Sequence, residues 1–171
     1  MTSSGSGWEL PEKGFLWIEE NIPFGSRIVE LGSGYGSNRL LQHYELWSIE
    51  HDENWIGLCP SNYIHAEVKP YSKNGEEGLW YNPDKIKNSL PSDYSLIIID
   101  GPPSMIGRRG ILSHQELFKW NCYVLVDDTH RPEEKEISDI LCAQHSFKQT
   151  QFTEIFEKTG VNREFTILSR M

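Results

Sequence analysis

The chain alternates short apolar runs with segments in which apolar residues recur every third or fourth position. LPEKGFLWIEENIP has Pro11 early, apolar residues at Phe15, Leu16 and Ile18, and Pro23 as a stop, which predicts an amphipathic helix. RIVEL (27–31), LWSIE (46–50) and NYIHAE (62–67) predict three short strands, with NRLLQHY as a brief helix after the first. YSLIIID (94–100) and CYVLVD (122–127) are continuous apolar runs, the signature of central parallel strands covered on both faces. GILSHQELFKW lies between them and reads as helix. PEEKEISDILCAQ follows them, with Ile137, Ile140 and Leu141 on one face and acids in its first turn. QFTEIFEK and REFTILSR flank the turn TGVN and predict a closing hairpin. The polar, Gly- and Pro-punctuated stretch KPYSKNGEEGLWYNPDKIKNSLPSD predicts loop around a short helix near Asp84–Leu90.

Strands alternating with helices and closed by a hairpin imply an α/β fold: a Rossmann-like open, twisted sheet, mostly parallel, seven strands with a C-terminal antiparallel hairpin. The 171 residues suit one domain over 9–171, preceded by a flexible Ser/Gly tail at 1–8. A net charge of −9 argues against a broad grip on nucleic acid or an anionic membrane. No apolar run approaches a bilayer span, and MTSSGSGWEL lacks the regions of a signal peptide. Cys59, Cys122 and Cys142 are odd in number and form no CxxC pair, as expected of reduced thiols in a cytoplasmic protein.

Chemistry concentrates at the strand ends. The first strand runs into Glu30-Leu31-Gly32-Ser33-Gly34-Tyr35-Gly36, where glycines permit a tight turn and close approach of a ligand to the backbone. Glu50 ends the next strand twenty residues after Glu30, where an acid can accept hydrogen bonds from ribose hydroxyls. Position 37 is serine, so the dinucleotide pattern GxGxxG is not met. VLVDDTHR ends a core strand on two adjacent carboxylates. A structural reading makes this the acidic N-terminus of a helix starting at Pro132, with Arg131 holding an aspartate ionised. A chemical reading makes it a metal site or a proton acceptor.

IVELGSGYGS, WSIEHD and LIIIDGP, with the terminal hairpin, resemble class I S-adenosylmethionine-dependent methyltransferases from Arg27 to Met171. The resemblance implies that Gly32, Ser33, Gly34 and Gly36 pass the methionine part of the cofactor and that Glu30 holds its amino group. Glu50 would take the ribose, His51 and Trp55 would flank the adenine, and Asp100 would sit beside the transferable methyl. In this fold Asp100 and the pair Asp127-Asp128 end neighbouring strands and converge. Their positions resemble those of catechol-type O-methyltransferases, which implies ligation of a divalent cation, Mg²⁺ or Mn²⁺, by Asp100, Asp127 and Asp128. That family's lysine base is replaced here by GPPS, which leaves His130 as the candidate base, followed by Asp128 or another of the aspartates.

DGPPSMIGRRGIL and VLVDDTHRPEEKE also resemble segments of glucuronoxylan 4-O-methyltransferase-like proteins, with Asp127 in place of a histidine. This points to a small-molecule or saccharide hydroxyl as acceptor, anionic if Arg108 and Arg109 clamp a carboxylate or phosphate. With little chain available for a lid, a homodimer partner could complete the pocket. Aminopropyl transfer of the spermidine synthase type, and a non-catalytic module that binds a partner protein, are the alternatives the same sheet allows.

Overall fold

The computed structural model describes residues 9–157 and 159–171; the tail expected at 1–8 lies outside them. In chain order the elements are α1 (Glu12–Asn21), β1 (Arg27–Leu31), α2 (Ser37–Leu40), β2 (Glu45–Glu50) and β3 (Asn62–His65). Then come β4 (Val68–Lys73), β5 (Glu76–Tyr81), α3 (Pro83–Ile86), β6 (Leu96–Ile99) and α4 (Gly110–Ser113). The chain ends with β7 (Tyr123–Val126), α5 (Pro132–His145), β8 (Phe147–Phe156) and β9 (Val161–Arg170).

Seven strands form one sheet in the order β3-β2-β1-β6-β7-β9-β8. The first five are parallel, and β9 runs antiparallel to both β7 and β8. The expected sheet and hairpin are therefore present. The strand order reverses between β1 and β6, so a crevice opens at that switch point above the carboxyl ends. Register fixes what meets there: Leu31 pairs with both Ile49 and Ile99, and Ile99 with Val126. The next residues, Gly32, Glu50, Asp100 and Asp127, are thus brought to one height along the sheet edge.

Alternate residues of the central strands bury both faces. Ile28, Leu46, Leu96, Ile98 and Leu125 pack with Phe15, Ile18 and Ile22 of the α1 region. Val29, Leu31, Ile97, Ile99, Val124 and Val126 pack with Ile111, Ile137, Leu141 and two aromatics of β5, Trp80 and Tyr81. This two-sided burial is why the runs read as unbroken hydrophobic sequence.

The segment expected to be loop around a helix is instead an antiparallel hairpin, β4–β5, closed at Asn74-Gly75. Both turn residues have positive φ, 55° and 80°, the conformation a two-residue hairpin requires and Asn-Gly adopts readily. The helix near Asp84 is confined to Pro83–Ile86, with the Asn82 side chain accepting from the Asp84 N–H. The helix expected across GILSHQELFKW likewise stops at Ser113; His114 leaves helical backbone at φ −126° and a 3₁₀ turn follows. All three cysteines are free thiols. Among the described residues no helix is long and apolar enough to cross a membrane.

Candidate functional site

A cavity of about 780 Å³ opens over the switch point, within the range of small-molecule and cofactor sites. Glu30, the glycine turn, Glu50, His51 and Trp55 line one half; Asp100, Arg108, Asp128 and His130 line the other. Two of the singled-out residues are not on its wall. Asp127 lies beneath it, fully buried, and Arg109 points away.

The first half is a single hydrogen-bonded unit. Gly32 takes φ 91°, and a Cβ there would sit 2.9 Å from the Asp100 carbonyl oxygen, so the turn accepts only glycine. Beyond it the Ser33 N–H donates to Glu50 Oε2 at 2.8 Å. Glu50 Oε1 accepts from the N–H groups of His51 and Asp52 at 2.8 and 2.9 Å. Three backbone donors lock this carboxylate in place and leave Oε2 a lone pair for a further donor. Glu30 Oε1 accepts from the Ser37 and Ser48 hydroxyls, both at 2.6 Å. Burial nevertheless pushes the Glu30 carboxyl up to about 7, against the pull of those two hydrogen bonds. α2 spans only Ser37–Leu40, as the brevity of its segment implies, and Tyr35 stays 59% exposed, edge-on to Trp55 at 5.3 Å.

The second half answers why a core strand ends on two acids. Asp128 turns the chain with φ 59°, a conformation that aspartate tolerates better than most residues. Arg108, 4% exposed, lies within the cluster. Its Nη2 is 3.3 Å from both Asp100 Oδ1 and Asp128 Oδ2 and also donates to the Asp100 carbonyl at 3.1 Å. Nε donates to the Pro102 carbonyl at 3.1 Å and Nη1 to the Asp127 carbonyl at 3.4 Å. Arg131 approaches Asp128 Oδ2 at 3.2 Å, as the structural reading of VLVDDTHR anticipates. Arg163 of β9 reaches Asp127 Oδ2 at 3.0 Å and Asp128 Oδ1 at 3.6 Å. Glu134, buried on α5, adds a fourth carboxylate 3.9 Å from Arg108 and 3.7 Å from Arg131. The cluster is thus an interleaved set of acids and guanidiniums.

Arg109 parts from its neighbour, pairing instead with Glu76 of β5 and Glu136 of α5 at 3.5 and 2.5 Å. Both guanidiniums expected to clamp an acceptor therefore engage the protein's own carboxylates. His130 Nδ1 accepts from the Glu164 N–H at 3.3 Å. In the neutral ring that assigns the proton to Nε2, which makes the open nitrogen a donor and disfavours the ring as a base.

Burial, reinforced by the charge of Asp127, raises the Asp100 carboxyl well above the ordinary range, with Arg108 opposing. Burial and then Asp128 push Asp127 up to about 6, with Arg163 opposing. One oxygen from each of Asp100, Asp127 and Asp128 lies within 4.8 Å of the others, a spacing a cation could span, and the buried Asp127 Oδ1 has no hydrogen-bond partner among the described residues. Against that, the Arg108 guanidinium already stands between Asp100 and Asp128. Sequence reasoning missed Arg163, Glu134 and the serines on Glu30, because no local spacing links them to the strand ends.

No family model matches the sequence, and no curated protein is significantly similar to it. Solved structures do share its fold. An O-methyltransferase from Bacillus cereus in complex with SAH aligns with a TM-score of 0.62 at 14% identity, over 98% of this chain and 82% of that one. An rRNA methylase from Streptococcus thermophilus gives 0.60 at 7% identity, over 93% and 95%. The O-methyltransferase TomG from Streptomyces achromogenes, in complex with SAM, gives 0.53 at 13% identity, over 92% and 78%. At these identities the likeness is one of fold: this chain has the class I methyltransferase architecture.

Proposed function

We propose that the chain is an S-adenosylmethionine-dependent methyltransferase acting on a hydroxyl of a small molecule or saccharide. The observation that carries this reading is the glycine turn locked to Glu50, across one cavity from the acid–arginine cluster. Fold-sharing structures that hold SAM or SAH support it. Bound S-adenosylmethionine supplies a methyl group on a sulfonium, open to in-line attack by a lone pair. Glu50 would accept from a ribose hydroxyl through the lone pair left on Oε2, and Glu30 would face the cofactor's ammonium.

A hydroxyl becomes a competent nucleophile when its proton is removed. Asp100 is the better-placed acceptor of that proton. Its side chain is 23% exposed, against 8% for Asp128 and none for Asp127. Its raised proton affinity favours the transfer once the carboxyl is ionised, the form that Arg108 stabilises against burial and the neighbouring acids. His130 would serve as a donor that orients the acceptor. Arg131, 40% exposed at the rim, is the guanidinium best placed to meet an anionic group on it.

A divalent cation fits this cluster poorly, because it would have to displace a guanidinium that donates to five oxygens. No step is therefore assigned to a metal. Incubation with methyl-labelled S-adenosylmethionine and a panel of phenols, uronic acids and oligosaccharides tests the reading. Label in an alkali-stable methyl ether, lost in Asp100→Asn, is expected; label in an alkali-labile ester of the uronic acids would overturn the hydroxyl assignment.

A further inference from the structure

Tyr81 is the last residue of β5. It is 1% exposed and contributes to the cavity wall. Its hydroxyl is buried and finds no hydrogen-bond partner among the described residues. A buried hydroxyl without a partner costs about 1–3 kcal/mol, so phenylalanine would be the more stable choice unless something is bound there. The surroundings define what that is.

A Cβ built on Gly101 would lie 2.4 Å from this hydroxyl and 2.9 Å from the Gly32 Cα. The oxygen therefore sits in the notch where the ends of β1 and β6 touch, and only glycine at 101 leaves room for it. The Tyr81 ring centroid lies 6.3 Å from that of His51, the residue after Glu50, while its hydroxyl abuts Gly101, the residue after Asp100. The phenol thus lies between the strand end carrying the acid read as the ribose partner and the strand end carrying the acid read as the proton acceptor. Burial first and then Glu50 hold its proton on, with Arg108 opposing. In S-adenosylmethionine the atom between ribose and the methionine chain is the sulfonium sulfur.

We propose that the Tyr81 hydroxyl oxygen faces the sulfonium of the bound cofactor and positions its methyl group, a role that rests on the methyltransferase reading. A neutral phenol suits it: its lone pairs attract the positive centre, and its lack of charge leaves the sulfonium reactive. The β4–β5 hairpin, which carries Tyr81 into the notch, becomes part of the cofactor site.

The contact discriminates by charge, since S-adenosylmethionine is a sulfonium and S-adenosylhomocysteine a neutral thioether of otherwise the same shape. Calorimetric titration of both into wild type and Tyr81→Phe tests it. The expected result is roughly tenfold weaker S-adenosylmethionine binding with S-adenosylhomocysteine within about twofold, and an unfolding midpoint no lower than wild type. Equal losses for both ligands, or no loss for either, would overturn the assignment. Should Tyr81→Phe not fold, wild type decides with sinefungin, whose ammonium replaces the methylated sulfonium: it should bind more tightly than S-adenosylhomocysteine, and weaker binding overturns the assignment. Wild type that binds none of these ligands would instead remove the methyltransferase reading itself.

Discussion

Replacing Glu30 by glutamine should stabilise the ligand-free protein while weakening its hold on the cofactor. Burial moves the Glu30 carboxyl from its ordinary 4.5 to about 7. With a folded-state value above the unfolded one, the folded state keeps a proton that the unfolded chain has released, so stability falls as pH rises through this window. Above both values the ionised carboxylate costs the fold about 3 kcal/mol, and near pH 5.5 only about 1 kcal/mol. Glutamine can accept the same hydroxyl donors, Ser37 and Ser48, without that charge. Allowing about 1 kcal/mol for an amide nitrogen short of an acceptor, the net gain near pH 8 is about 2 kcal/mol, shrinking to about zero near pH 5.5. Urea unfolding of wild type and Glu30→Gln across that range measures it, because contributions from other groups cancel in the difference. A variant no more stable than wild type near pH 8, with parallel pH curves, would refute the reasoning. A stabilised variant that binds S-adenosylmethionine as tightly as wild type would keep the burial argument and remove Glu30 from the ammonium site.

Gly110→Ala places a Cβ 2.3 Å from Trp80 Cγ and 2.4 Å from its Cβ, beneath a ring that also stacks on His114. It should cost roughly 3 kcal/mol in urea unfolding, and a change below about 1 would show that the hairpin yields easily. Arg108→Met leaves buried carboxylates without their central counter-charge and should cost about 3–5 kcal/mol. Titration with Mn²⁺ followed by electron paramagnetic resonance should find no binding in wild type and acquired binding in the variant; a tight wild-type site would restore the metal. Glu50→Ala removes the acceptor of the Ser33, His51 and Asp52 N–H groups and should weaken S-adenosylhomocysteine roughly 100-fold, with unchanged affinity removing Glu50 from the ribose site.

The central sheet was legible because β6 and β7 are buried on both faces and so appear as unbroken apolar runs. Once their parallel register is given, Gly32, Glu50, Asp100 and Asp127 must share a height, so the site's outline follows from strand ends alone. The β4–β5 hairpin was legible in principle: Asn74-Gly75 is a strong two-residue turn signal, but surrounding charges and prolines made the segment read as loop. Other features have no local signature. Arg108 and Arg109 are adjacent and of identical type, yet one is buried among acids and the other ties β5 to α5. Arg163 meets Asp127 only because β9 returns antiparallel beside β7. The His130 tautomer likewise depends on the Glu164 N–H from that strand.

If the chain is a methyltransferase, the locked glycine turn and Glu50 hold its cofactor. Calorimetric titration of S-adenosylhomocysteine into the wild-type protein tests it most directly. One site per chain is expected, with a dissociation constant of roughly 1–100 μM. Absence of binding at about 1 mM ligand would contradict it and leave the glycine turn serving a different ligand.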